Sequence, residues 1–207
     1  TLGLLITDFD SAQREFSERE MTLYLGIANQ VAVALESELL AQEVASAMRM
    51  EEELQVARGV QTAVLPSNVP PIEGWDAAAD WRSARMVGGD FFDYWWLDKQ
   101  EESSQRRLGF VIADVSDKGV SAAMFMMLSR SLVRAAALHG APPAVALTRA
   151  NRWIARDSES AMFVTLFYGI IEPESGLLTY CCAGHNPPML VRNDGEIIEL
   201  STPGIAL

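Results

Sequence analysis

Met86-Val87-Gly88-Gly89-Asp90-Phe91-Phe92-Asp93 and Gly109-Phe110-Val111-Ile112-Ala113-Asp114-Val115-Ser116-Asp117-Lys118-Gly119 are the two stretches whose reading decides the fold. Phe110 to Ala113 has the length and composition of a buried strand, which places Asp114 at its end. Gly88 and Gly89 let the backbone bend and approach another group closely, and they set Asp90 where a strand begins or bulges. Carboxylates at strand ends in an apolar scaffold are costly unless something positive lies between them. A hard divalent cation, Mg²⁺ or Mn²⁺, prefers oxygen ligands and meets that need. A plainer reading fits either patch alone: a polar turn in which the aspartate caps a backbone amide, since turns favour Gly and Asp.

On either side of this centre the chain alternates short apolar runs with punctuation. Trp75 to Ala84 reads as a strand, and Met86 to Leu97 contains a second, rich in aromatics. Asp98 to Arg107 is a charged loop. Ser121 to Leu138 reads as a helix whose methionines (Met124, Met126, Met127) suit core packing better than a pliable binding surface. Pro142-Pro143 opens a second helix with Ala144, Leu147, Ala150 and Ile154 on one face. Met162 to Ile171 and Leu177 to Ala183 are β-rich runs joined by a turn at Glu172 to Gly176. Asn193-Asp194-Gly195 marks another hairpin, between Met189 to Arg192 and Glu196 to Leu200. Strands, two helices, then hairpins predict an α+β fold, an antiparallel β-sandwich flanked by helices, rather than a doubly wound parallel sheet.

Upstream, Thr1 to Thr7 reads as a strand and Asp8 to Phe16 as a polar loop. Ser17 with Glu20 three residues on is a capping box that opens a helix. No proline follows before Leu65-Pro66, and Gly26 and Gly59 are the only glycines, so this is one very long helix or two in tandem. Ala47, Met50, Leu54, Ala57, Gln61 and Val64 recur by three and four. That spacing suits either the seam of a parallel dimer or a stripe packed on the same subunit. Pro66 and the Pro70-Pro71 pair end the helix and set a domain boundary.

Composition bounds the function. Among 207 residues, 49% are hydrophobic, enough for a full core, and no uninterrupted apolar run reaches the ~18 residues of a membrane helix. A formal net charge of −12 argues against nucleic acid, whose phosphates want clustered Lys and Arg. Cys181 and Cys182 are adjacent and point to opposite faces of a strand, so a reducing cytoplasm is the expected compartment. With only His139 and His185 besides, a zinc site lacks soft ligands. Thr1 is not an initiator methionine and no signal peptide is evident, so a piece of a longer protein is expected.

The two acidic stretches together resemble the metal-dependent protein phosphatases of type 2C (PPM), in their bacterial SpoIIE/RsbU-like branch. Val87 to Asp93 matches a Val-Gly-Gly-Asp-Phe-Tyr-Asp signature with Phe92 for Tyr, and Asp114 to Gly119 matches Asp-Val-Ser-Gly-Lys-Gly with Asp117 for Gly. Gln61 with Leu65-Pro66, Met162 to Leu166 and Ala183-Gly184-His185-Asn186-Pro187-Pro188 extend the likeness over residues 60 to 207. Residues 1 to 43, with Ile27-Ala28-Asn29-Gln30-Val31-Ala32, resemble the C-terminal end of a GAF sensory domain. The resemblance implies a GAF end over 1–43, a helical linker over 44–65, and a phosphatase domain over 66–207 that stops short of the family's last metal aspartates.

It further implies two Mn²⁺ or Mg²⁺ ions that activate water for in-line attack on phosphorus, with no enzyme nucleophile. By motif position Asp90 and Asp114 become the metal ligands, with the Val115 carbonyl a weaker one. Asp93 is then either an outer support of the metal or a turn cap. Arg85 either grips the phosphoryl group through its planar fork or is a solvated surface residue. His185 either protonates the leaving seryl oxygen or tethers backbone in its turn. Asp117 adds negative charge and replaces a residue free to adopt positive φ. The implied substrate is a phosphoserine or phosphothreonine on a STAS-type regulator in a sigma-factor switching circuit, with the long helix relaying a sensor signal and supporting a homodimer. The competing reading is a degenerate, non-catalytic phosphatase fold that binds phosphoproteins or transmits a signal. Neither nucleic acid nor membrane is an expected partner.

Overall fold

The computed structural model describes residues 3–4, 6, 15–83, 85–97, 106–157 and 161–207. The chain divides into two compact units, Thr1–Glu53 and Leu54–Leu207. Most of the expected strand over Thr1 to Thr7, most of the loop after it, and most of the loop over Asp98 to Arg107 lie outside the described residues. In the first unit the capping box forms as expected. Ser17 N–H and Oγ–H both donate to Glu20 Oε2, and Glu20 N–H returns a bond to Ser17 Oγ. Helix α1 that begins there spans Glu18–Val64, one continuous helix rather than two.

The second unit is built on a four-stranded antiparallel sheet ordered β1-β2-β3-β4: Phe91–Trp96, Leu108–Val115, Val164–Glu172 and Leu177–Ala183. Helices α2 (Val120–Ala137) and α3 (Pro143–Asp157) enter between β2 and β3, and a two-stranded ribbon, β5 (Met189–Val191) with β6 (Ile197–Glu199), follows β4. The α+β, antiparallel class predicted from the sequence is the class observed. Alternation decides the faces: Phe91, Trp95, Val111, Ala113, Leu166 and Tyr168 are buried on one side of the sheet. Against that side pack Phe125, Met126 and Val133 of α2 with Leu147, Ala150 and Ile154 of α3. Met126 is buried in this core and Met127 packs against it, whereas Met124 is exposed. By length and composition α2 is apolar enough to cross a membrane, but its apolar face lies in this core and its arginines are used inward.

Three sequence expectations change. Asp93 is not a turn cap, and its carboxylate is taken up by α2. It lies inside β1 on the helix-facing side, its side chain wholly buried, where Arg130 (2.8 Å) and Arg134 (3.1 Å) of α2 close on its carboxylate. Residues 76–83 form no ladder; an isolated bridge joins Ile72 and Trp75. The aromatic residues of that segment act as hydrogen-bonding anchors instead, Trp75 Nε1 donating to Pro173 O and Trp81 Nε1 to Asp90 O. Finally, four members of the three-and-four stripe on α1 (Leu54, Ala57, Gln61 and Val64) are buried or half-buried within the second unit, so that part packs on its own subunit.

Candidate active site

The strand register brings the two aspartates together. β1 and β2 pair with Phe91 opposite Ala113. Extending the ladder by one residue sets Asp90 opposite Asp114, on the face shared with Phe92 and Ile112 and turned away from the helices. The two carboxyl groups lie within hydrogen-bonding reach of each other. Partial desolvation, hydrogen bonding between them and the Asp114 charge together lift the Asp90 carboxyl to about 6. Like charges directly opposite on a sheet repel, so this geometry is costly unless a proton or a cation lies between them.

The row continues across the sheet. Thr165 of β3 sits opposite Asp114, and its hydroxyl lies 2.9 Å from His185 Nδ1 and 3.3 Å from the Asp114 carbonyl. With the Thr165 proton given to that carbonyl, its oxygen accepts from Nδ1–H, which leaves the lone pair on Nε2 of a neutral ring. Burial pushes the His185 pKa below its usual range, and the Asp114 charge opposes that shift without overcoming it.

A cleft of about 310 Å³ opens beside the pair, lined among others by Trp81, Arg85, Asp90, Asp114, Asp117 and Lys118. A second hollow shares both carboxylates and reaches His185. Arg85, Asp90, Asp114 and His185, all singled out from sequence, therefore gather around one place. The Val115 carbonyl faces the Gly89 backbone: a Cβ at Gly89 would lie 2.9 Å from it. Asp117 adopts φ 78°, the left-handed conformation expected where the signature has glycine, and accepts a hydrogen bond from Lys118 N–H at 2.8 Å. Lys118, Trp81 and Thr165 were not foreseen as site residues. Lys118 lies within the second signature and Thr165 within the Met162 to Leu166 stretch; Trp81 is placed only by tertiary pairing.

Two carboxylates offer hard oxygen donors, which suit Mg²⁺ or Mn²⁺ rather than zinc. Their mutual repulsion marks a position that a cation would relieve, so the donor set fits the expected ion. Among the described residues no group of three or more His, Cys, Asp or Glu side chains gathers around a common point.

The sequence model of the family described as Stage II sporulation protein E (SpoIIE) matches residues 104–207, half of the chain. The chain belongs to the SpoIIE family. SpoIIE-family domains are type 2C phosphatase domains, a group that is generally metal-dependent. Among curated relatives, Protein IcfG of Synechocystis sp. is 34% identical over 198 residues, covering 82% of this chain and 30% of that protein. Phosphoserine phosphatase RsbU of Bacillus subtilis is 28% identical over 159 residues, 76% of this chain and 45% of that protein. The chain thus spans less than half the length of either relative. The SiaA-PP2C domain of Pseudomonas aeruginosa superposes with a TM-score of 0.58 at 21% identity, over 78% of this chain and 64% of that one, and shows the same fold.

Proposed function

We propose that this SpoIIE-family domain is a metal-dependent protein serine/threonine phosphatase. The observation that carries the reading is the Asp90–Asp114 pair, opposed on one sheet face beside a cleft that also holds Arg85 and Lys118. Asp90 and Asp114 would hold one or two Mn²⁺ or Mg²⁺ ions, with the Val115 carbonyl as a weaker donor. When bound, such ions supply Lewis acidity toward water and phosphoryl oxygen. Arg85 grips the phosphoryl oxygens through its paired donors, and Lys118 adds positive charge at the same wall. Water attacks phosphorus in line with the seryl oxygen and the P–O bond to that oxygen breaks; the proton the water gives up is balanced by one delivered to the seryl oxygen, leaving serine and inorganic phosphate. His185, held neutral and bonded to Thr165, serves to fix the sheet end at Asp114; only its imidazolium form is equipped to donate the proton.

The substrate in this reading is a phosphoserine or phosphothreonine on a regulatory protein of STAS type. RsbU, a phosphoserine phosphatase by name, supports the phosphoserine part of that reading. Control by an N-terminal GAF-type sensor through α1, a homodimer along that helix and a cytoplasmic setting belong to the same proposal. A non-catalytic reading draws on two observations: the extra carboxylate of Asp117 in the cleft, and the finding that among the described residues no three acidic, imidazole or thiol side chains converge closely enough to hold an ion together. Mn²⁺-dependent release of phosphate from a phosphoserine peptide separates the two. The phosphatase reading predicts turnover that falls at least about 100-fold in Asp90→Ala and Asp114→Ala, beyond the range of outer-shell changes. Phosphopeptide binding without turnover supports the non-catalytic module.

A further inference from the structure

Gln61, in the last turn of α1, is wholly buried, an unusual place for an amide unless both of its ends are satisfied. Both are, and by one residue. Gly88 N–H donates to Gln61 Oε1 at 3.1 Å, and Gln61 Nε2 donates to Gly88 O at 2.5 Å. The side-chain amide thus pairs with the Gly88 backbone as a neighbouring strand would.

Gly88 is two residues ahead of Asp90, and the backbone between them is closely packed on the sides away from the cleft. A Cβ at Gly88 would come within 2.9 Å of Ser83 Oγ. At Gly89 one would meet the Val115 carbonyl at 2.9 Å and the Val115 Cβ at 3.1 Å. Val115 follows Asp114 directly, so the Gly88-Gly89 backbone is wedged between the end of α1 and the strand that carries the second carboxylate. Trp81 Nε1 then fixes the Asp90 carbonyl at 2.9 Å.

We infer that Gln61 is a positioning residue for the carboxylate pair: its amide presses the Gly88-Gly89 segment onto Val115 and thereby sets Asp90 against Asp114. This rests on the reading of the pair as a cation site. A neighbour that orients a ligand loop through two hydrogen bonds belongs to the class whose loss weakens metal binding by about 10–100-fold.

The test compares the wild type with Gln61→Met, which keeps the side-chain volume and removes both bonds. Mn²⁺ affinity is measured by electron paramagnetic resonance of the free ion, and protection of the Gly88 amide by hydrogen exchange on metal-free protein. The expected result is a protected Gly88 amide in the wild type, loss of that protection in Gln61→Met, and Mn²⁺ affinity weakened by about tenfold or more. A freely exchanging Gly88 amide in the wild type overturns the inference without recourse to any variant. So does Mn²⁺ affinity within about twofold of wild type in a Gln61→Met protein that has lost the protection. Asp90→Ala and Asp114→Ala run in the same titration. If they weaken Mn²⁺ binding and Gln61→Met does not, the clamp alone is refuted; if neither weakens it, the cation reading falls and takes the clamp with it.

Discussion

Removing the Asp93 carboxylate tests whether β1 is held to α2 by charge as well as by packing. The side chain of Asp93 is wholly buried, that of Arg130 is 12% exposed and that of Arg134 is 39% exposed. Arg130 Nη2 lies 2.8 Å from Oδ2, Arg134 Nη1 reaches both carboxylate oxygens at 3.1 Å, and the Tyr94 N–H donates to Oδ1 at 2.8 Å. At an effective dielectric of about 20, a pair about 4 Å apart attracts by roughly 4 kcal/mol, and breaking a buried pair from one side costs about 3–5 kcal/mol. Arg134 can turn to water when released, whereas Arg130 cannot, so the cost of Asp93→Asn falls at the lower end, about 3 kcal/mol. For a protein of this size that is about 6–12 °C in Tm. Arg130→Met is expected to cost a similar amount and Arg134→Met distinctly less. Asp93→Leu with Arg130→Met together recovers most of the loss, because no buried charge is left without its partner. Urea unfolding followed by tryptophan fluorescence is the assay, with Trp95 in the same core as reporter. A loss below about 1 kcal/mol for Asp93→Asn would refute the argument, since that is the value of an exposed pair.

Three further outcomes follow from the same geometry. In metal-free protein the Asp90 carboxyl titrates near pH 6 by carbon-detected NMR. Its folded pKa lies above the ordinary value of 3.8, so the folded state gains stability as pH falls through about 6 and the gain is complete below the unfolded value. Asp114→Asn lowers the midpoint without restoring 3.8, because desolvation, the largest cause, remains; an unshifted midpoint in the wild type would show that the carboxyls do not meet. Gly89→Ala forces the Asp90 loop off Val115, since the new Cβ would lie 2.9 Å from a backbone carbonyl; a loss of about 1–3 kcal/mol is expected in the same unfolding assay, and no loss would show that the wedge is loose. At Asp117, φ 78° is tolerated by Asp and Asn but not by a β-branched residue. Asp117→Asn is expected to unfold within about 0.5 kcal/mol of wild type and Asp117→Val to lose about 1–2 kcal/mol; equal stability of the two would place the loop in another conformation.

What the sequence disclosed, and what it withheld, follows from how local each signal is. The capping box at Ser17, the bounds of β4 and the turn at Asn193-Asp194-Gly195 rest on neighbours within a few residues, and each appears as expected. The convergence of Asp90 and Asp114 was legible through a paired signature, although only the register of β1 on β2 explains it. Asp93 was not legible. It stands among Phe91, Phe92, Tyr94, Trp95 and Trp96, an apolar run without alternation, so nothing marks its inward face, and its partners lie 37 and 41 positions away, at Arg130 and Arg134. Gln61 kept the spacing of a helical stripe, which shows that it faces something but not that the something is Gly88. Trp75 to Ala84 has a strand's composition, but a strand needs a partner, and here two indole N–H groups anchor the segment instead.

The central claim is that Asp90 and Asp114 share a divalent cation, and anomalous diffraction from crystals soaked in Mn²⁺ tests it most directly. The account predicts an anomalous peak about 2.1 Å from a carboxylate oxygen of each residue, in the cleft that Arg85 and Lys118 line. Density that leaves the two carboxyls bonded only to each other, with manganese bound elsewhere or not at all, would contradict it.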